Sequence, residues 1–148
     1  MRSAIERGDP AEQITTRLAS DLQTTLSRQL YGGDITGSVS LTGDVLTLAR
    51  NQYNALDNRN TRQDKAMNFT QSFGSSGDQL LSPRALPVWE DLSSTVRIDH
   101  ASILISALEQ SAILLADFTI DTQKKLQYNN WGKYGRKSLT RLQCSGHV

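Results

Sequence analysis

The chain predicts an all-α bundle of about five or six helices, followed by a basic tail. Three observations carry that prediction. Apolar residues recur at steps of three and four in several long stretches, and no stretch alternates apolar with polar over strand length. Clusters of Gly, Pro, Ser and Asn separate the periodic stretches. No internal repeat at a fixed spacing and no low-complexity tract interrupts the pattern.

Asp9–Pro10–Ala11–Glu12 reads as a helix start, with Asp9 as N-cap, Pro10 at the first helical position and Glu12 reaching back as the capping-box acid. Ile14, Leu18, Leu22, Leu26 and Leu30 then make one apolar stripe, which Gly32–Gly33 stops. Asp34 opens a second helix carrying Ile35, Val39, Leu46, Ala49, Tyr53 and Leu56. Gly37 and Gly43 weaken its first half by about 1 kcal/mol each, so packing has to hold it.

Asp57 to Asp64 reads as a polar connection, and Lys65 to Phe73 as a further helical piece using Met67, Thr70 and Phe73. Gly74–Ser75–Ser76–Gly77 is the clearest flexible break in the body of the chain. Leu80 and Leu81 precede Ser82–Pro83, another cap-plus-proline start. Pro87 interrupts that helix after barely a turn, and Trp89 and Leu92 anchor it.

Ser94 to Phe118 is the central helix around which the others are expected to pack. Ile98, Ala101, Ile105, Leu108, Ala112 and Leu115 share one face, with Asp99, Ser102, Ser106, Glu109 and Gln110 largely opposite. From Ser111 to Ala116 the polar face nearly disappears, which predicts burial on two sides. Ser93 or Ser94 can cap its start. Asp99, Glu109 and Asp117 interrupt it, leaving uncharged runs short of the roughly 20 residues that a span needs, so no membrane insertion is expected. The core expected from these stripes centres on Leu18, Leu22, Leu26, Leu81, Trp89, Ile105, Leu108 and Leu115. Thr119 to Asn130 is polar and expected to run over the surface.

The chain has 148 residues, room for one domain that buries about 70% of its unfolded surface. The net charge of +1 hides an asymmetry. Lys133, Arg136, Lys137 and Arg141 lie in residues 132–148 with no acid beside them; of 16 basic residues, 12 remain to face all 15 acids. A mildly acidic stretch (1–131), holding the expected helical domain 5–131, thus precedes a basic tail (132–148) expected to be disordered. The tail holds Trp131 and Tyr134 at or near its start, yet so short a basic run neutralises few phosphates, and nucleic-acid binding is not expected.

Cys144, the single cysteine, permits no internal disulfide and no multi-cysteine metal site. The start at Met1–Arg2–Ser3 shows no apolar leader. That leaves two readings: a cytosolic protein, or a piece whose export signal lies elsewhere. His100 has Asp99 beside it, but adjacent helix residues do not face each other. Positions 96, 97, 103 and 104 hold no partner ligand. No GK[ST] phosphate loop and no GxSxG elbow occurs. The expectation is no enzyme, no cofactor and no metal. Asn68–Phe69–Thr70 is the one N-x-[ST] sequon, meaningful if the chain is exported.

Three stretches carry a resemblance. They are Tyr31–Gly32–Gly33–Asp34 leading to Val39, then Leu80–Leu81–Ser82–Pro83–Arg84–Ala85–Leu86–Pro87–Val88–Trp89–Glu90–Asp91, and Leu108–Glu109–Gln110–Ser111–Ala112–Ile113–Leu114–Leu115–Ala116–Asp117. In that order they resemble the helical subdomain A of the GAIN domain in latrophilin-type adhesion G protein-coupled receptors, over roughly Ile5 to Trp131. Gly74–Gly77 and Pro87 depart from the family's smoother helices. The resemblance implies an extracellular, glycosylatable, non-catalytic scaffold with Asn68 as candidate acceptor. Its implied partner is a β-sandwich subdomain that carries the self-cleavage site and is absent here. It implies a truncated product that departs from the family after Trp131, with surface meant for the sandwich exposed and open to self-association. An independent cytosolic helical adaptor is the alternative.

Overall fold

The computed structural model describes residues 1–119, and it is all helical. Six helices follow one another: α1 (Arg2–Glu6), α2 (Ala11–Arg28), α3 (Gly32–Asn54), α4 (Arg59–Leu80), α5 (Leu86–Glu90) and α6 (Ser94–Phe118). The surface segment after Thr119, the boundary at Trp131 and the basic tail lie outside the described residues.

The four long helices enclose the core. α2 packs along α4, α4 backs onto α6, and α3 leans on α6, α2 and α4, while α1 and α5 pack at the ends of α3. Ile14, Leu18 and Leu22 of α2 meet Ala66, Phe69 and Phe73 of α4 and Ile35, Val39, Val45 and Tyr53 of α3 in one buried cluster. An aromatic chain runs through it. Tyr53 meets Phe69 and Phe118 edge-on, each at 6.2 Å between centroids, and Phe69 stacks on Phe73 at 5.4 Å. Trp89 closes one end of the core, and its indole Nε1 donates to the Leu80 carbonyl at 2.7 Å.

Several starts and stops differ from the sequence reading, each for a physical reason. α1 is an additional short helix, held by backbone bonds to Met1 and Ser3 and by contacts with α2 and α3. At α2 the capping box does not form. Asp9 instead pairs with Arg7, and Glu12 turns to Tyr53 and Lys65. The cap comes from α3: Gln52 Oε1 accepts the Ala11 N–H at 2.9 Å, and its Nε2 donates to the carbonyls of Gly8 and Asp9, each at 3.0 Å. Gly8 supplies the turn, with φ +73°.

α2 ends at Arg28, and Gly32 begins α3 rather than marking a stop. Asp34 carries the start, its carboxylate accepting the Tyr31 N–H at 2.9 Å. α4 starts at Arg59, well inside the stretch read as a connection, because Asn58 Oδ1 accepts the Thr61 N–H at 3.1 Å and caps it. It then runs unbroken through Gly74–Gly77. Gly74, Ser76 and Gly77 are buried there, so the stretch that reads as a flexible break is a close-packed helix segment. Residues Leu81 to Ala85 form turns, and Pro87 sits in the first turn of α5, so it starts that helix rather than interrupting it.

Candidate functional site

α6 spans Ser94–Phe118, with Ser93 in the N-cap position but making no side-chain cap bond. Its buried residues are Leu104, Ala107, Leu108, Ser111, Leu114 and Leu115, a single face turned to α3 and α4. That face is offset from the stripe read in the sequence. Ile105, expected in the core, is 52% exposed, and Ile98 is 63% exposed. Leu18, Leu22, Trp89, Leu108 and Leu115 are buried, and Leu26 and Leu81 are half-buried against the core's edge.

The offset has a cause in the contact between α6 and α4. α6 has two apolar faces, and the inner one accommodates a serine. The Ser111 hydroxyl donates to the Leu108 carbonyl at 2.8 Å, and the Ser111 carbonyl accepts from the Thr70 hydroxyl at 3.1 Å. With its polar groups paired, Ser111 packs at 0% exposure, and Ile105 is carried outward. Positions 98, 105 and 112 differ by sevens and so lie within about 20° of one line on the helix. Ile98, Ile105 and Ala112 form that outer line, with Ile113 and Ala116 beside its lower half. The expected two-sided burial at Ser111–Ala116 is therefore overturned: Ile113 is 37% exposed and Ala116 is exposed.

By length and composition α6 could cross a membrane, but its inner face forms part of the core. Only 33% of its most apolar window is buried, much less than a core helix covered on all sides would show. Ser102 and Glu109 lie on the same exposed side as the outer line, between Ile105 and Ile113, and Asp99 lies beyond them. The sequence signal for it was present, in the near-absence of polar residues from Ser111 to Ala116.

The remaining singled-out residues do not join this face. His100 Nδ1 donates to the Val96 carbonyl at 2.9 Å within its own helix. Asn68 is exposed on α4, beside a polar groove that it lines with Gln13, Arg17 and Asp21 of α2. At the head of that groove Glu12 accepts from Lys65 and, at 3.1 Å, from the Tyr53 hydroxyl. Burial alone would raise the Glu12 pKa, but the bonds from Lys65, the backbone and Tyr53, with the Lys65 charge, together outweigh it and hold the carboxyl below its ordinary value. The same burial, with the Glu12 charge, pushes the Tyr53 phenol far up. Cys144 and His147 lie outside the described residues.

α6 thus has one buried face in the helical core and leaves Ile98, Ile105 and Ile113 exposed on its other side. The family model described as AGRL2-4 GAIN subdomain A matches residues 2–116. The mouse and human adhesion G protein-coupled receptors L1 are each 28% identical over 125 residues, covering 76% of this chain and 8% of the receptor. Latrophilin Cirl of Drosophila mojavensis is 27% identical over 122 residues, covering 82% of this chain and 7% of that protein. The chain thus spans less than a tenth of the relatives it matches. It belongs to the GAIN subdomain A family of latrophilin-type receptors, and it corresponds to a non-catalytic part of the extracellular region of an adhesion G protein-coupled receptor.

Proposed function

We propose that this chain is a scaffold that seats the β-sandwich subdomain of its receptor on the outer face of α6. The observation that supports this most is that Ile98, Ile105 and Ile113 are exposed, with Ala112 half-buried beside them, on a helix whose other face is core. Exposed apolar surface of this kind gains by being covered, at about 25 cal/mol for each Å² removed from water. On this reading the chain acts on the extracellular side of the plasma membrane, holds no reacting group, and contributes rigidity and surface to the domain that cleaves itself. Left uncovered, the same face drives self-association.

The test is co-expression of the full chain with a latrophilin β-sandwich subdomain in a secretory system. The two are expected to co-purify, and Ile105→Asp in the chain is expected to separate them while leaving its helical circular dichroism unchanged. Equal recovery of wild type and Ile105→Asp overturns the assignment of this face.

A further inference from the structure

We infer that Asn68 is an N-glycosylation site whose glycan projects from the side of α4 facing away from α6. Asn68–Phe69–Thr70 supplies the acceptor triplet. Its three side chains have separate fates. Asn68 is exposed, whereas Phe69 is 0% and Thr70 2% exposed. At about 100° per residue, Asn68 and Thr70 are about 200° apart around α4. Thr70 reaches α6, its hydroxyl on the Ser111 carbonyl at 3.1 Å, so Asn68 projects away from α6. Beside it is open space rather than packed side chains: the α2–α4 groove, about 610 Å³, bordered by Gln13, Arg17, Ser20 and Asp21. Amide, guanidinium, hydroxyl and carboxylate groups of this kind hydrogen-bond sugar hydroxyls.

The same geometry sets the order of events. In the folded chain Phe69 is in the core and the Thr70 hydroxyl is engaged, so neither is accessible to a transferase. The sugar is therefore attached before α4 packs. The donor is a lipid-linked oligosaccharyl pyrophosphate. Asn68 Nδ2 forms a bond to C1 of the first sugar, the C1–O bond to pyrophosphate breaks, and the amide proton leaves with the lipid pyrophosphate. Folding then buries Phe69 and Thr70 and leaves the glycosylated amide outside. The glycan and the outer face of α6 lie on different sides of the molecule, so one does not obstruct the other.

The inference rests on the receptor reading only for its secretory route. The test is expression of the full chain behind a cleavable secretion leader in animal cells, with retained and secreted material pooled. Trypsin releases Ala66–Arg84, which contains this sequon alone. Peptide N-glycosidase in heavy-oxygen water is expected to convert Asn68 to labelled Asp and to collapse one slower-migrating form to the unmodified mobility. Asn68→Gln is expected to abolish that form, and Thr70→Ser, which keeps the hydroxyl, to retain it. Unmodified Asn68 in the wild-type peptide overturns the site, whether or not Asn68→Gln folds. Unmodified Asn68 in a chain that still holds the sandwich through Ile105 rejects the glycan and leaves the receptor reading intact. Glycosylated Asn68 without sandwich binding does the reverse.

Discussion

Leu108 occupies the space that a side chain on Gly77 would need: a Cβ built on Gly77 would stand 2.6 Å from Leu108 Cδ2 and 3.2 Å from its Cγ. Leu108 is itself buried, so it cannot swing aside. Gly77→Ala therefore sets an overpacking cost of about 1–3 kcal/mol against a helix-propensity gain of about 1 kcal/mol. We expect a net loss of up to about 2 kcal/mol in urea unfolding. Gly77→Ala combined with Leu108→Ala is expected to lose less than the two single losses added, because the clash disappears with the leucine. Strict additivity would show that α4 and α6 do not meet here.

Glu12 gives the bundle an acid-sensitive point. Its folded pKa lies below the ordinary 4.5. The stabilisation it supplies is complete above that value and is lost as pH falls through the folded one. Glu12→Gln keeps an acceptor for Tyr53 but removes the charge that holds Lys65. We expect it to cost about 1–2 kcal/mol at neutral pH and to flatten the decline of thermal midpoint with acid. Parallel curves for the two proteins would exclude Glu12 as a source of that decline.

How much of this was legible in sequence depends on whether a signal was local. The span of α6 was, because its periodicity is long and its ends are marked. The continuity of α4 was not, because Gly74 and Gly77 read locally as a break, whereas both are buried in the helix and Gly77 packs directly under Leu108 of α6. Ile105 was placed inside because a helix apolar on two faces has no unique inner side in its own sequence. Ser111, paired with Thr70 of α4, settles it, and that pairing spans 41 residues. The candidate docking face was thus visible as an excess of apolar residues, but not as a surface.

Adjacent positions on α6 should separate packing from docking. Leu104 is buried and Ile105 is exposed. Leu104→Ala is expected to cost about 2–5 kcal/mol. Ile105→Ser should change stability by less than about 0.5 kcal/mol while lowering concentration-dependent association in sedimentation velocity. A large stability loss at Ile105 would place it in the core after all.

Gln52 tests whether α2 is held from a distance. Its amide makes three hydrogen bonds, to Ala11 N–H and to the carbonyls of Gly8 and Asp9, and thereby caps α2 from a residue 41 positions away. Pro10 precedes the first helical residue and offers no side-chain acceptor, so nothing local replaces the cap. Gln52→Ala should cost about 1–2 kcal/mol, the usual loss at an N-cap. Gln52→Glu keeps the acceptor for Ala11 but puts carboxylate oxygens against two carbonyls, so it should recover little of that loss. Hydrogen exchange gives the sharper reading. The amides of Ala11 to Thr15 are expected to lose protection in Gln52→Ala, while those in the middle of α2 keep theirs relative to the global stability. Uniform loss along α2 would mean that Gln52 supports the core generally and does not act as the cap.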